Sequence, residues 1–483
     1  MRKQILFLLL FHVYFFVSGQ NTFNLLISDS TNEYPGDIIE LSDHSFVLSS
    51  GFFTSTPDQA TQKFFKINDK GIITHDTIFE NSQGRSNLST MVYINDTNIF
   101  CVGDWGNLNE NDQKWVVSID SAFNIHWSKK YQLNYNYVKT ASAFLNSKGK
   151  IISAATASNS SNYALHYLSF EEYTVSGDSV RFTIDSSAVY PNIFDMAEFP
   201  NNGMYRAAVS GYGQNAPGQI LMIDSSLMIV DIDPMPNGVY WYNAIKKIND
   251  SSYYLSGNVH VNTSYDYAIM SMNENNVCKK ISILSQGDTI NYAGIIQSMD
   301  FIDPNKVFLG ATSNLALYGG HYGYQNSWYA LSNFDSSLNL RWTKYYGGDA
   351  YYILESVVAT MDGGVIMTGT RYDYPTQSYK CDMYIVKVNE NGVLTDDNHL
   401  LPPPIHDAIV YPNPGSDHLI VESGPQISGA QFRMTTIDSK QVIVKSLNDR
   451  KTNFETQFLP TGTYVWQIVF NDRVVETGKW IKD

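Results

Sequence analysis

The chain has 483 residues, 47 Asp and Glu against 32 Lys and Arg, and a formal net charge of −15. That balance excludes a nucleic-acid partner, whose phosphates must be neutralised by Lys and Arg, and equally a basic membrane-surface protein. The length exceeds what one hydrophobic core supports, and 33 Tyr beside only 16% charged residues suit a secreted β protein better than a helical enzyme.

Residues 1–19 combine Arg2 and Lys3, an apolar run from Ile5 to Val17, and the small pair Ser18 and Gly19. This is the make-up of a secretory signal peptide; the other reading, a membrane anchor, needs a longer run. No later stretch approaches a transmembrane span, so none is expected in the mature protein. The three cysteines, Cys101, Cys278 and Cys381, are too few and too odd in number for a disulfide framework, and none stands in a metal-ligand spacing.

A repeat follows in chain order. Apolar strands ending in small residues recur about every 50 residues: SFVLSSG (45–51), NIFCVG (98–103), KIISAA (150–155), YRAAVSG (205–211), YYLSG (253–257), VFLGA (307–311) and VIMTG (365–369). Each is followed by a second apolar strand, such as WVVSID (115–120) or MYIVKVN (383–389), that runs into a tight turn of the NDKG, DSSL or NENG kind. The pattern predicts an all-β fold with a seven-bladed β-propeller over residues 22–398, or eight blades if one degenerate unit is hidden. The outer strand of the last blade is weak, so TFNLLIS (22–28) is expected to supply it and close the ring. The last blade, residues 360–392, resembles the repeats of large secreted bacterial β-propellers.

Residues 399–407 hold the triple proline of a stiff linker. Beyond it, residues 408–483 alternate as short strands with turn signals, enough for a small Ig-like β-sandwich. Three features carry a resemblance there: YPNP (Tyr411, Pro412, Asn413, Pro414) at the start, LPTGTYVWQI with Gly462 and Tyr464, and the closing GKWIKD with Lys479 and Lys482. The segment resembles the type A C-terminal sorting domain of the type IX secretion system of Bacteroidetes. That resemblance implies export through the inner membrane by the leader and across the outer membrane by the secretion machinery, its partner, with the protein then released or held on the cell surface.

No catalytic motif, metal-ligand spacing or cofactor fingerprint stands in the propeller region, and no cofactor is expected. In a propeller blade the loops joining strand 2 to strand 3 and blade to blade share one face. Here those loops are the long ones, rich in aromatic residues, Gly and Asn. Rigid amphipathic rings beside small polar residues suit a glycan or protein ligand. The candidate ligand-binding residues are Trp105, Tyr135, Tyr212, Trp241, Tyr265, Tyr322, Tyr324, Trp328, Tyr351 and Tyr372. A non-enzymatic binding protein is the reading preferred; the alternative is an extracellular hydrolase or lyase whose acids, Asp104, Asp195, Asp266 and Asp349, converge on the channel mouth.

Overall fold

The computed structural model describes residues 20–28, 32–53, 60–79, 84–107, 113–132, 137–158, 166–185, 192–199, 203–209, 218–234, 239–261, 264–284, 290–316, 320–376, 380–394, 408–423, 429–438, 440–470 and 473–483. The expected leader and linker, Tyr135 and Tyr212 lie outside them. The chain divides into two compact units, Met1–Asp396 and Asp397–Asp483.

The first unit is built of antiparallel sheets. Strand β1 (Phe23–Ile27) stands apart from those that follow it; β2 (Asn32–Glu40), β3 (Phe46–Phe53), β4 (Ala60–Ile67) and β5 (Ile73–Phe79) make sheet 1. Sheet 2 is β6 (Gly84–Asn95), β7 (Asn98–Asn107), β8 (Gln113–Ile119) and β9 (Ile125–Gln132). Sheet 3 is β10 (Tyr137–Leu145), β11 (Ile151–Ser158), β12 (His166–Tyr173) and β13 (Ser179–Asp185). Sheet 4 is β14 (Ile193–Phe199), β15 (Met204–Val209), β16 (Gln219–Ile223) and β17 (Ile229–Pro234). Sheet 5 is β18 (Val239–Asn249), β19 (Ser252–Val261), β20 (Ser264–Asn273) and β21 (Cys278–Leu284).

Sheet 6 departs from the pattern. Its first position is shared by β22 (Asn291–Ala293) and β23 (Met299–Asp300), both paired to β24 (Val307–Ser313), which continues to β25 (Trp328–Phe334) and β26 (Leu340–Gly347). Sheet 7 is β27 (Tyr351–Ala359), β28 (Val365–Tyr372) and β29 (Cys381–Val388), and its fourth strand is β1, antiparallel to β29 with Leu25 opposite Ile385. The N-terminal strand therefore completes the last sheet, as the weakness of GVLTDDNHL (392–400) suggested.

The core explains the order. Apolar clusters lie between consecutive sheets: Phe64 with Met91 and Trp115, Phe100 with Ile151 and Tyr173, and Ile152 with Met196 and Leu221. The series continues with Phe199 and Tyr253, Tyr254 and Leu309, and Leu331 and Val386. It closes where Phe23 and Ile385 of sheet 7 meet Phe46 and Phe65 of sheet 1. A sheet packed on both faces needs apolar residues at successive positions in its middle strands, and β11 is buried along its whole length. The outer strands meet solvent on one side; β9 alternates as IHWSKKYQ.

The third-to-fourth strand turns share one construction. Asp120, Asp224 and Asp335 each accept N–H bonds from residues two and four further on. The residue between has positive φ, and in these turns it is Phe123, Leu227 or Leu338, all buried.

The second unit contains β30 (Ala408–Tyr411), β31 (His418–Ser423) and β34 (Lys451–Glu455) in one sheet. The other sheet orders β33 (Gln441–Ser446), β32 (Gln431–Thr436), β35 (Gly462–Phe470) and β36 (Arg473–Lys482). Leu419, Val421 and Phe454 of the first share a core with Phe432, Trp466 and Trp480 of the second.

Candidate functional site

Among the described residues, the first strands of six of the seven sheets carry a β-bulge or irregularity, between Pro35 and Ile38, Asn87 and Thr90, Thr140 and Ser142, Ile193 and Asp195, Tyr242 and Ala244, and Leu354 and Ser356. A bulge adds a residue without a ladder partner and re-aims its side chain. Four of these extra residues, Ser89, Ala141, Phe194 and Glu355, line one cavity of about 880 Å³. In sheet 6 the segment between β22 and β23 takes that role: Ile295 and Ile296 line the same cavity, their N–H groups bonded to the carbonyls of Leu354 and Glu355 at 3.2 and 2.9 Å. The remaining wall includes Tyr34, Lys139, Thr156, and His321 and Tyr322 from the loop between β24 and β25. The cavity thus opens among first strands and a strand 2 to strand 3 loop, the set of loops the sequence marked as aromatic.

Its polar groups are specific. The hydroxyls of Tyr34 and Tyr322 are 3.0 Å apart, and the Tyr34 ring meets His321 edge-on at 4.8 Å. His321 Nδ1 lies 3.2 Å from Thr370 Oγ1 and 3.8 Å from Glu355 Oε1. Burial pushes the Glu355 carboxyl up to about 7, with Lys139 pulling the other way, and pushes His321 down to about 4. His321 is therefore neutral at pH 7 and its contact with Glu355 is not an ion pair there. Burial also lifts the Cys381 thiol, behind the tyrosines, to about 12, which leaves it protonated and inert.

Of the aromatic candidates, Tyr322 alone lines this cavity among the described residues. Tyr322 and Tyr324 meet Tyr372 edge-on at 5.2 and 6.1 Å, and Tyr351 joins the same cluster, but Tyr351 and Tyr372 are buried and hold the cluster from beneath. Tyr324 stands 57% exposed. Trp241 stacks on Tyr265 at 5.7 Å, both on sheet 5, and leans on Tyr292 of sheet 6 at 5.8 Å, a second aromatic group. Trp105 is packed edge-on to Trp115 with Lys130 Nζ 3.1 Å above its ring, and Trp328 lies against the Gly347–Gly348 turn.

The four aspartates considered for catalysis are placed apart. Asp104 is buried on β7 and Asp266 on β20, where it accepts from Asn291 Nδ2 at 3.1 Å. Asp349 accepts from Tyr352 Oη at 2.6 Å and pairs with Arg371 at 3.4 Å. Asp195 belongs to a recurring joint: its Oδ1 accepts from Ser142 Oγ and from the Met196 N–H, both at 2.8 Å, and its Oδ2 from the Ile245 N–H at 3.0 Å. Asp37 and Asp300 repeat it, each bonding the N–H of its own next residue and one N–H of the following sheet's first strand, Met91 and Ala359. None of the four lines the cavity. Among the described residues, no group of three or more His, Cys, Asp or Glu is placed to hold a metal ion.

Sequence reasoning missed Tyr34, Lys139, His321 and Glu355. The available signal for Glu355 was its place inside YYILESVVA, a charged residue in an otherwise apolar strand.

In the second unit the quoted motifs meet. Trp480 Nε1 donates to the Pro412 carbonyl at 2.7 Å, Asn413 Nδ2 to the Lys479 carbonyl at 2.8 Å, and the Ile481 N–H to Asn413 Oδ1 at 2.9 Å. A Cβ on Gly415 would stand 2.8 Å from the Pro412 carbonyl and 2.9 Å from the Trp480 ring, which accounts for glycine there. Tyr464 is buried, donates to the Pro460 carbonyl at 2.8 Å, and packs on Trp480, while Lys479 is exposed. Tyr411 is half-buried and Gly462 opens β35.

Residues 409–483 match the family described as the secretion system C-terminal sorting domain. The chain thus carries a type IX secretion sorting tail behind a run of blade-like sheets, and it is an exported protein, secreted or displayed on the cell surface. No helix among the described residues is long and apolar enough to cross a membrane. No curated protein matches the chain. Similar solved structures include a protein of unknown function from Dyadobacter fermentans, 10% identical with a TM-score of 0.45 over 75% of this chain and 97% of that one. Another is a subtype N10 neuraminidase-like protein of A/little yellow-shouldered bat/Guatemala, 8% identical, TM-score 0.41, over 75% and 95%. A third is PorZ, a surface component of the type IX secretion system of Porphyromonas gingivalis, 10% identical, TM-score 0.29, over 91% and 69%.

Proposed function

We propose that residues 22–398 form a seven-bladed β-propeller that works outside the cell as a non-enzymatic binding protein, taking a glycan or protein ligand at the aromatic-rich end of its channel. The observation that supports this is the 880 Å³ cavity among the bulged first strands, where tyrosine rings stand beside hydroxyl, amide and charged groups. Ligand pockets of this size with a few convergent polar groups are the usual form of a binding site. The sorting tail matched at 409–483 supplies delivery, with the secretion machinery as its partner.

The reading as a hydrolase or lyase draws on one feature, Glu355 beside His321, and not on Asp104, Asp195, Asp266 and Asp349. A glycan and peptide binding screen of the mature protein, repeated with Tyr34→Ala and Tyr322→Ala, tests the main reading. Loss of the bound class in both variants is expected; binding that is indifferent to both would overturn it.

A further inference from the structure

Two charged side chains in the cavity wall have unmet chemistry. Glu355 is 6% exposed, and among the described residues no hydrogen bond reaches its carboxyl; the His321 nitrogen at 3.8 Å is beyond bonding distance. A mostly buried carboxyl with no protein donor is costly, and as part of the cavity lining this one can take a donor from a guest. Lys139, on the third sheet, is exposed to the same cavity and makes no ion pair with any described residue. Lys246, on the first strand of sheet 5, is by contrast held by Asp300 at 2.9 Å.

A guest that meets both carries an anionic group for Lys139 and a hydrogen-bond donor for Glu355. A cationic guest is opposed by Lys139, and an apolar guest would leave both groups unmet. Tyr34 and Tyr322 add ring faces whose hydroxyls are tied to each other, which suits the apolar face of a sugar ring. We infer that the cavity binds an acidic saccharide, with the sugar carboxylate on Lys139 and ring hydroxyls donated to Glu355. This rests on the proposed reading of the channel end as the binding site.

The test is calorimetric titration of the mature protein with oligogalacturonides, oligomannuronates and glucuronate oligomers, and with neutral galactan and mannan oligomers of the same length. At least one acidic series is expected to bind at least tenfold more tightly than its neutral counterpart. Lys139→Ala, an exposed change that leaves the core intact, should remove that preference. Glu355→Gln, which keeps a hydrogen-bonding group, should retain binding, and Glu355→Leu should weaken acidic and neutral sugars alike. Equal affinity for acidic and neutral sugars, an unchanged preference in Lys139→Ala, or no binding of any acidic series would each overturn the inference. Neutral sugar or peptide binding that Tyr322→Ala abolishes would overturn it while leaving the broader reading in place; no ligand at all at this end would remove both.

Discussion

At the scale of single residues, burial decides conformations that local preference would not choose. Phe123, Leu227 and Leu338 have φ of 65°, 62° and 54°, where a glycine or asparagine is usual. The left-handed conformation costs about 1–2 kcal/mol, and burying a Leu or Phe side chain returns about 1.5–3 kcal/mol, so the side chain wins. Leu338→Gly should accordingly lower stability, by roughly 1 kcal/mol, in denaturant melts, even though it relieves the backbone; a more stable variant would contradict this account. Glu355 shows the opposite balance. Its folded pKa, about 7, lies above the ordinary carboxylate value, so the fold penalises the charged form. The penalty is absent below pH 4, grows between about pH 4 and 7, and is constant above. Glu355→Gln should therefore gain stability relative to the parent as pH rises through that window, by on the order of 3 kcal/mol at most, and little at pH 4. Thermal melts at pH 4 and 8 read the difference.

At the scale of elements, the first strands do two jobs at once. Their bulges send Ser89, Ala141, Phe194 and Glu355 into the cavity, while Asp37 ties β2 to β6, Asp195 ties β14 to β18 and Asp300 ties β23 to β27. Because both carboxylate oxygens of Asp195 accept bonds, Asp195→Asn must turn an NH₂ toward a donor. A loss of about 1–3 kcal/mol is expected by chemical denaturation, with neighbouring sheets 4 and 5 losing hydrogen-exchange protection first. Strand β1 is the other critical element. Phe23, 2% exposed, packs between β29 and sheet 1, so Phe23→Ala should cost about 3–5 kcal/mol in melts and loosen sheets 7 and 1 together.

The repeat of apolar strands with small ends was legible because the middle strands are covered on both faces and must be apolar throughout. The role of residues 22–28 was legible for a related reason: residues 392–400 lack the β-branched alternation of a fourth strand. The cavity was not. Bulge positions leave no periodic trace, and Tyr34, Lys139, His321 and Glu355 come from sheets 1, 3, 6 and 7. Aromatic loops pointed to the end of the strands where the cavity lies, and there Tyr351 and Tyr372 are buried beneath Tyr322 and Tyr324.

At the scale of the whole molecule, the sorting tail and the blade-like sheets are separate compact units with separate cores. Deleting residues 408–483 should leave the first unit folded but held in the periplasm, read by fractionation and by protease resistance of the retained protein. Normal secretion of the truncated chain would contradict the role of the tail.

The bulged positions have one more consequence. A residue outside the ladder can be exchanged without shifting the pairing of its strand, so the lining of the cavity is decoupled from the register that holds the sheets. The cavity lining in this architecture can drift, or be redesigned, at Ser89, Ala141, Phe194 and Glu355 while the scaffold stays as it is.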